Sequence, residues 1–129
     1  MQGVLVVAAG GVVGAVARYL VYLAVGHWIG TGFPYATLIV NVVGSFAMGV
    51  LIETMALVWS TSNEMRLFLA VGMLGSFTTF STFSLDFAFL YERREWLLSA
   101  VYAASSVVLS IAALFGGLHV VRRLVPPPF

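Results

Sequence analysis

Residues 75–83 read GSFTTFSTF and place five hydroxyl side chains (Ser76, Thr78, Thr79, Ser81, Thr82) in seven positions, interleaved with Phe77, Phe80 and Phe83. Hydroxyls donate hydrogen bonds, and an aromatic ring has a positive edge around a negative face. Together they can offer donors to a small anion that must shed its water. Phe80 and Phe83 stand three apart, so a helix carries both rings on one face. Phe87 continues that face, and Asp86 follows Thr82 and Phe83 one turn later. Asn41 contributes an amide with donors and acceptors and has Ser45, Met48 and Gly44 nearby. Tyr102, Ser106 and Ser110 recur every fourth residue, a polar stripe that can line a narrow wet track. Arg18 lies deep in the first apolar run, with Gly10 and Gly14 preceding it on the same face as a route to close helix approach. Each group also has a packing reading. Arg18 can pair with a carbonyl or snorkel to a headgroup, and Asn41 and the serine stripe can serve as interhelical hydrogen-bonding contacts.

The surrounding chain explains why these groups stand out. Its 129 residues suggest one domain, 1–129, and 61% of them are hydrophobic while 9% are charged. Soluble domains carry about 25% charged residues, so the chain reads as a membrane protein. The net charge of +1 excludes the basic footprint of a nucleic-acid binder. The absence of cysteine excludes disulfides and thiolate metal sites, and His27 and His119 fall outside any metal-ligand pattern. Met1-Gln2-Gly3 lacks the positive start of a signal peptide, so the first apolar run reads as a retained span.

A spanning helix needs roughly 20 mostly apolar residues. That length predicts four transmembrane helices, over 4–25, 35–59, 65–90 and 96–121. The connections are GHWIGTGFP at 26–34, the polar stretch 60–64 and the charged turn 92–95. Trp28, Trp59, Tyr91 and Trp96 fall near the predicted ends, as interfacial aromatics do. Glu53 lies within two turns of the second span's end and reads as interfacial. Connections this short leave no room for an extramembrane catalytic or receptor domain, so an enzyme is not expected. One side carries Arg66, Arg122 and Arg123 and the other Arg93 and Arg94. Because a Lys/Arg bias normally sets orientation, this near balance predicts insertion both ways, which makes antiparallel dimerisation possible. Glycines and hydroxyls around 72–82 mark where the third span can break, since such side chains re-satisfy freed backbone groups.

The motifs GAVARY (14–19), NVVGSFAMG (41–49) and GMLGSFTTFSTF (72–83) resemble those of the CrcB/Fluc family of fluoride channels, and the resemblance covers essentially the whole chain. It implies an all-α membrane protein with the third helix broken mid-membrane, assembled as an antiparallel, dual-topology homodimer. It also implies passive, electrogenic fluoride export across a prokaryotic inner membrane, with chloride rejected. The pore residues it implies are Asn41, Phe80, Phe83, Ser81, Thr82, Tyr102, Ser106 and Ser110. A structural sodium ion at the dimer centre, held by the backbone carbonyls of Gly75 and Thr78, would be the only cofactor. Arg18 matches the family's first-span arginine, with a structural or electrostatic role. On this reading 75–79 forms the break and 80–83 is resumed helix. The family often has two glycines where this chain has Gly75-Ser76, and a longer acid is common at Asp86.

The alternative is a small multidrug-type exporter, also four-helix and dual-topology. Proton-coupled export of organic cations calls for an embedded carboxylate, typically in the first span, where this chain has Arg18 instead. A packing subunit with no transport role is a third class, and the gathering of Asn, Phe and hydroxyls on several helices argues against it.

Overall fold

A computed structural model describes residues 1–126, and it contains four helical runs long and apolar enough to cross a membrane. The first is α1 (Gln2–Trp28) and the second α2 (Tyr35–Leu57). The third, Asn63–Glu92, is assembled from α3 (Asn63–Arg66), a π-helical segment (Leu67–Leu74), α4 (Gly75–Phe77) and α5 (Phe80–Glu92). The fourth is α6 (Trp96–Leu124). All regular structure among the described residues is helical. Helices satisfy every interior backbone group within the segment, which apolar surroundings demand.

The helix ends differ from the sequence expectation by a few residues, for local reasons. α1 continues through Gly26, His27 and Trp28, and its terminator is Gly30 at φ 98°. The Ile29 and Gly30 N–H groups both turn back to the Val25 carbonyl, at 2.8 and 3.1 Å. A glycine in the left-handed region is a common way to end a helix. α2 stops at Leu57, because the Val58 and Trp59 N–H groups share the Thr54 carbonyl at 2.9 and 2.8 Å. Ser62 starts the third run by accepting the Met65 N–H at 3.2 Å. α6 runs on to Leu124, with Arg122 and Arg123 in its last turn, where the helix dipole favours cations.

The helices pack mainly as two pairs, α1 against the π-helical segment and α4, and α2 against α6. Glycine sets both crossings. A Cβ on Gly14 would overlap the Met73 carbonyl oxygen, and one on Gly49 would overlap the Leu114 carbonyl oxygen. Backbone meets backbone there, the close approach small residues permit between apolar helices. Fully buried side chains are few, with Val40, Leu90, Tyr102 and Thr37 the largest of them. Much of the remaining apolar surface faces outward, as lipid contact requires.

Adding one methyl at either crossing forces the helices apart. Gly14→Ala and Gly49→Ala should each lower stability by about 1–3 kcal/mol, read as a fall in the thermal midpoint of the purified protein. Gly26→Ala has open space around the new Cβ. It should leave the midpoint unchanged or raise it, since alanine is the better helix former by about 1 kcal/mol.

Candidate functional site

The site is organised by an interruption of the third run. Gly75, Ser76 and Phe77 remain helical, so the break is narrower than 75–79 and the Ser76 Cβ sits in ordinary helix. Only Thr78 (φ −84°, ψ 160°) and Thr79 (φ −153°, ψ 123°) are extended. β-Branched residues favour such backbone, and both hydroxyls bond the adjoining main chain. Thr78 Oγ1 donates to the Leu74 carbonyl at 3.2 Å. Thr79 Oγ1 accepts the Thr82 N–H at 3.2 Å and thereby caps α5.

Asn41 closes the gap from α2. Its Oδ1 accepts the Thr79 N–H at 2.7 Å, and its Nδ2 donates to the Thr79 carbonyl at 2.9 Å. One side chain thus pairs with both backbone groups of an extended residue, as a neighbouring strand would. An unbroken helix would give the Thr79 N–H to the Gly75 carbonyl and the Thr82 N–H to the Thr78 carbonyl. Here those donors go to Asn41 and to the Thr79 hydroxyl. Arg18 reaches the same place from α1, its Nε donating to the Ser76 carbonyl at 3.1 Å.

Beside the break, a groove of about 320 Å³ is lined by Asn41, Phe80, Phe83, Ser106 and Ser110, together with Thr78 and Thr79. Residues from three runs of the chain therefore meet on one surface. The Phe80 and Phe83 ring centroids are 5.4 Å apart at a 53° tilt, and Phe80 is 77% exposed. The Ser106 and Ser110 hydroxyl oxygens are buried, with no hydrogen-bond partner among the described residues. Most buried hydroxyls are partnered, so two orphans facing one groove mark it as a place for a hydrogen-bonding guest.

Ser81 and Thr82 fall outside this lining. Ser81 is exposed, its hydroxyl 3.4 Å from that of Thr79, while Thr82 contributes its N–H to the cap. Tyr102 also falls outside the lining, fully buried, and reaches the groove only through Phe83, its ring centroid 5.2 Å from that of Phe83. Its hydroxyl donates to Asp86 Oδ2 at 3.0 Å. Thr37 donates to the same oxygen at 2.6 Å, and Tyr22 lies 2.5 Å from the Thr37 hydroxyl. Sequence reasoning passed over Thr37 and Tyr22. The available signal was Thr37 four residues before Asn41, on the same helical face. Glu53 pairs with Arg122 at 3.0 Å, and Arg123 donates to His119 at 3.0 Å, both toward the end of α6.

Fold and site define a small multi-pass membrane protein whose helices surround a break and a hydroxyl-lined groove. The chain belongs to the CrcB-like family, whose profile, described as "CrcB-like protein, Camphor Resistance (CrcB)", matches residues 5–118. It is 55% identical to the fluoride-specific ion channel FluC of Rhodospirillum centenum, over 97% of this chain and 99% of that one. Proteins of the same name from Chelativorans sp. and Nitrobacter winogradskyi are 52% and 50% identical, over 96% and 92% of this chain and 99% and 94% of theirs.

The amide pairing at Thr79 can be tested directly. Asn41→Leu keeps the bulk and strands one N–H and one carbonyl, so stability should fall by about 2 kcal/mol or more, the cost of unmade buried hydrogen bonds. Thermal unfolding of the purified variant measures this. A wild-type midpoint would mean that the extended backbone holds itself without Asn41.

Proposed function

We propose that this protein is a fluoride-selective channel giving passive, electrogenic export across the inner membrane of a prokaryote, as the name of its relatives indicates. The observation that carries the reading is the groove in which unpartnered Ser106 and Ser110 hydroxyls face the rings of Phe80 and Phe83. Fluoride is small and strongly hydrated, and it leaves water only for other hydrogen-bond donors. Hydroxyls supply them, and ring edges add positive electrostatic potential. In this reading Asn41, Phe80, Phe83, Tyr102, Ser106 and Ser110 line the path, and Ser81 and Thr82 act through the α5 start. Hydrogen fluoride enters a cell neutral and dissociates in the less acidic interior. The membrane potential then drives the anion out with about 2.3 kcal/mol per 100 mV.

The path is completed by a second, antiparallel copy, with the break near the membrane midplane. Support comes from the near balance of arginines between the two sides and from the exposure of Phe80 and Gly75 on a single chain. A sodium ion between the copies is held by the Gly75 and Thr78 carbonyls. The fit is chemical, because the helical donors to those carbonyls are diverted, and carbonyl oxygens suit a hard cation. Arg18 occupies the intervening Ser76 carbonyl and keeps it from the ion. Multidrug-type exchange lacks a matching feature, since α1 presents Arg18 where a carboxylate would be needed.

Reconstituted liposomes loaded with fluoride test the reading. The electrode should record rapid release only when an ionophore carries the counter-current, and no matching release of chloride. Phe80→Ile and Phe83→Ile should each slow release by tenfold or more, about 1.4 kcal/mol on the barrier, while the protein stays folded. Silence with fluoride, or equal chloride flux, would remove the channel reading. Replacing sodium with a bulky organic cation should lower the thermal midpoint, and an unchanged midpoint would remove the sodium site.

A further inference from the structure

Each of the four long runs sends one side chain to a single point. Tyr22 comes from α1, Thr37 from α2, Asp86 from α5 and Tyr102 from α6. The direction of their hydrogen bonds follows from counting hydrogens. Asp86 Oδ2 accepts from both neighbours, and a threonine hydroxyl has one hydrogen to give. Thr37 gives its hydrogen to Asp86 Oδ2 at 2.6 Å. The 2.5 Å contact between Tyr22 and Thr37 must then be donated by Tyr22. Tyr102 donates to the same Oδ2 from the other side. The order is therefore Tyr22 to Thr37 to Asp86, with Tyr102 to Asp86 closing it.

The order matters because of what Tyr102 touches. Its ring lies 5.2 Å from that of Phe83, and Phe83 lines the groove. Thr37 is 2% exposed and Tyr102 is 0% exposed, so both are largely shielded from bulk water. Tyr22 is half-buried and lines a separate cavity of about 190 Å³ with Thr37 and Asp86. It touches none of the groove-lining residues through these bonds. Without the Tyr22 hydrogen, the Thr37 oxygen loses the donor that fixes it, and the Thr37 hydroxyl is held only by the bond it gives to Asp86. The carboxylate, and the Tyr102 ring it holds, would then be less firmly oriented.

We propose that Tyr22 is a positioning residue for anion conduction, a role that rests on the channel reading above. Its hydroxyl directs the Thr37 hydrogen onto Asp86, and Asp86 in turn holds the Tyr102 ring against Phe83.

Fluoride release from liposomes tests the proposal, with gel filtration reporting the folded fraction of each variant. Tyr22→Phe keeps the ring and removes only the donor. Release should slow by about three- to tenfold, as expected for one lost hydrogen bond, with the folded fraction unchanged. Thr37→Val should slow release as well, and adding Tyr22→Phe to it should change nothing further. If the two effects multiply, Tyr22 acts independently of Thr37 and the proposal fails. It fails equally if Tyr22→Phe conducts at the wild-type rate. Thr37→Ser retains the hydroxyl and must remain sensitive to Tyr22→Phe, an arm that stands even if Thr37→Val does not fold. A wild-type protein that releases no fluoride would instead remove the channel reading itself, whereas a conducting wild type beside an unaffected Tyr22→Phe removes only this role.

Discussion

Backbone N–H and carbonyl groups cannot be left bare in apolar surroundings, and the interruption at Thr78 and Thr79 exists because Asn41 answers that requirement. A two-residue extended segment inside a helical run strands polar groups on both sides of it. Asn41 takes both groups of Thr79, the Thr79 hydroxyl caps the helix that follows, and Arg18 takes the Ser76 carbonyl from the helix before. Three side chains from three runs thus stabilise one discontinuity. The direction in which α5 leaves the break carries Phe80 and Phe83 to the groove.

The second organising point is Asp86. Its Oδ2 accepts from two hydroxyls, Thr37 and Tyr102. Those donors hold the carboxylate in one orientation. The hydroxyls of Ser106 and Ser110 are differently placed, since they have no partner among the described residues. Committed donors thus gather at Asp86, outside the groove lining, while the unpartnered hydroxyls lie within it on α6.

Much of this was legible in the sequence because long apolar runs and rare polar residues are themselves the signal in a membrane chain. The four runs follow from residue type and spacing, and the resemblance carried by GAVARY, NVVGSFAMG and GMLGSFTTFSTF implied the gathering of Asn41, Phe80, Phe83, Ser106 and Ser110. Helix ends were less legible, because Gly30 and the shared Thr54 carbonyl terminate by backbone conformation that composition does not encode. Reading 75–79 as break was too wide, since Gly75 to Phe77 can stay helical while the extended backbone falls on the two threonines. The Asp86 cluster was the larger omission. Thr37 and Tyr22 are common residue types with unremarkable spacing, and only the crossing of the helices brings them to the carboxylate.

The central claim is that the free hydroxyls and ring edges of the groove select fluoride over a larger halide. Reversal potential in a planar bilayer tests it most directly, with the protein between a fluoride solution and an equal concentration of chloride. The account predicts a potential that follows the fluoride gradient and is insensitive to chloride. A potential near zero, showing that both halides cross alike, would contradict it.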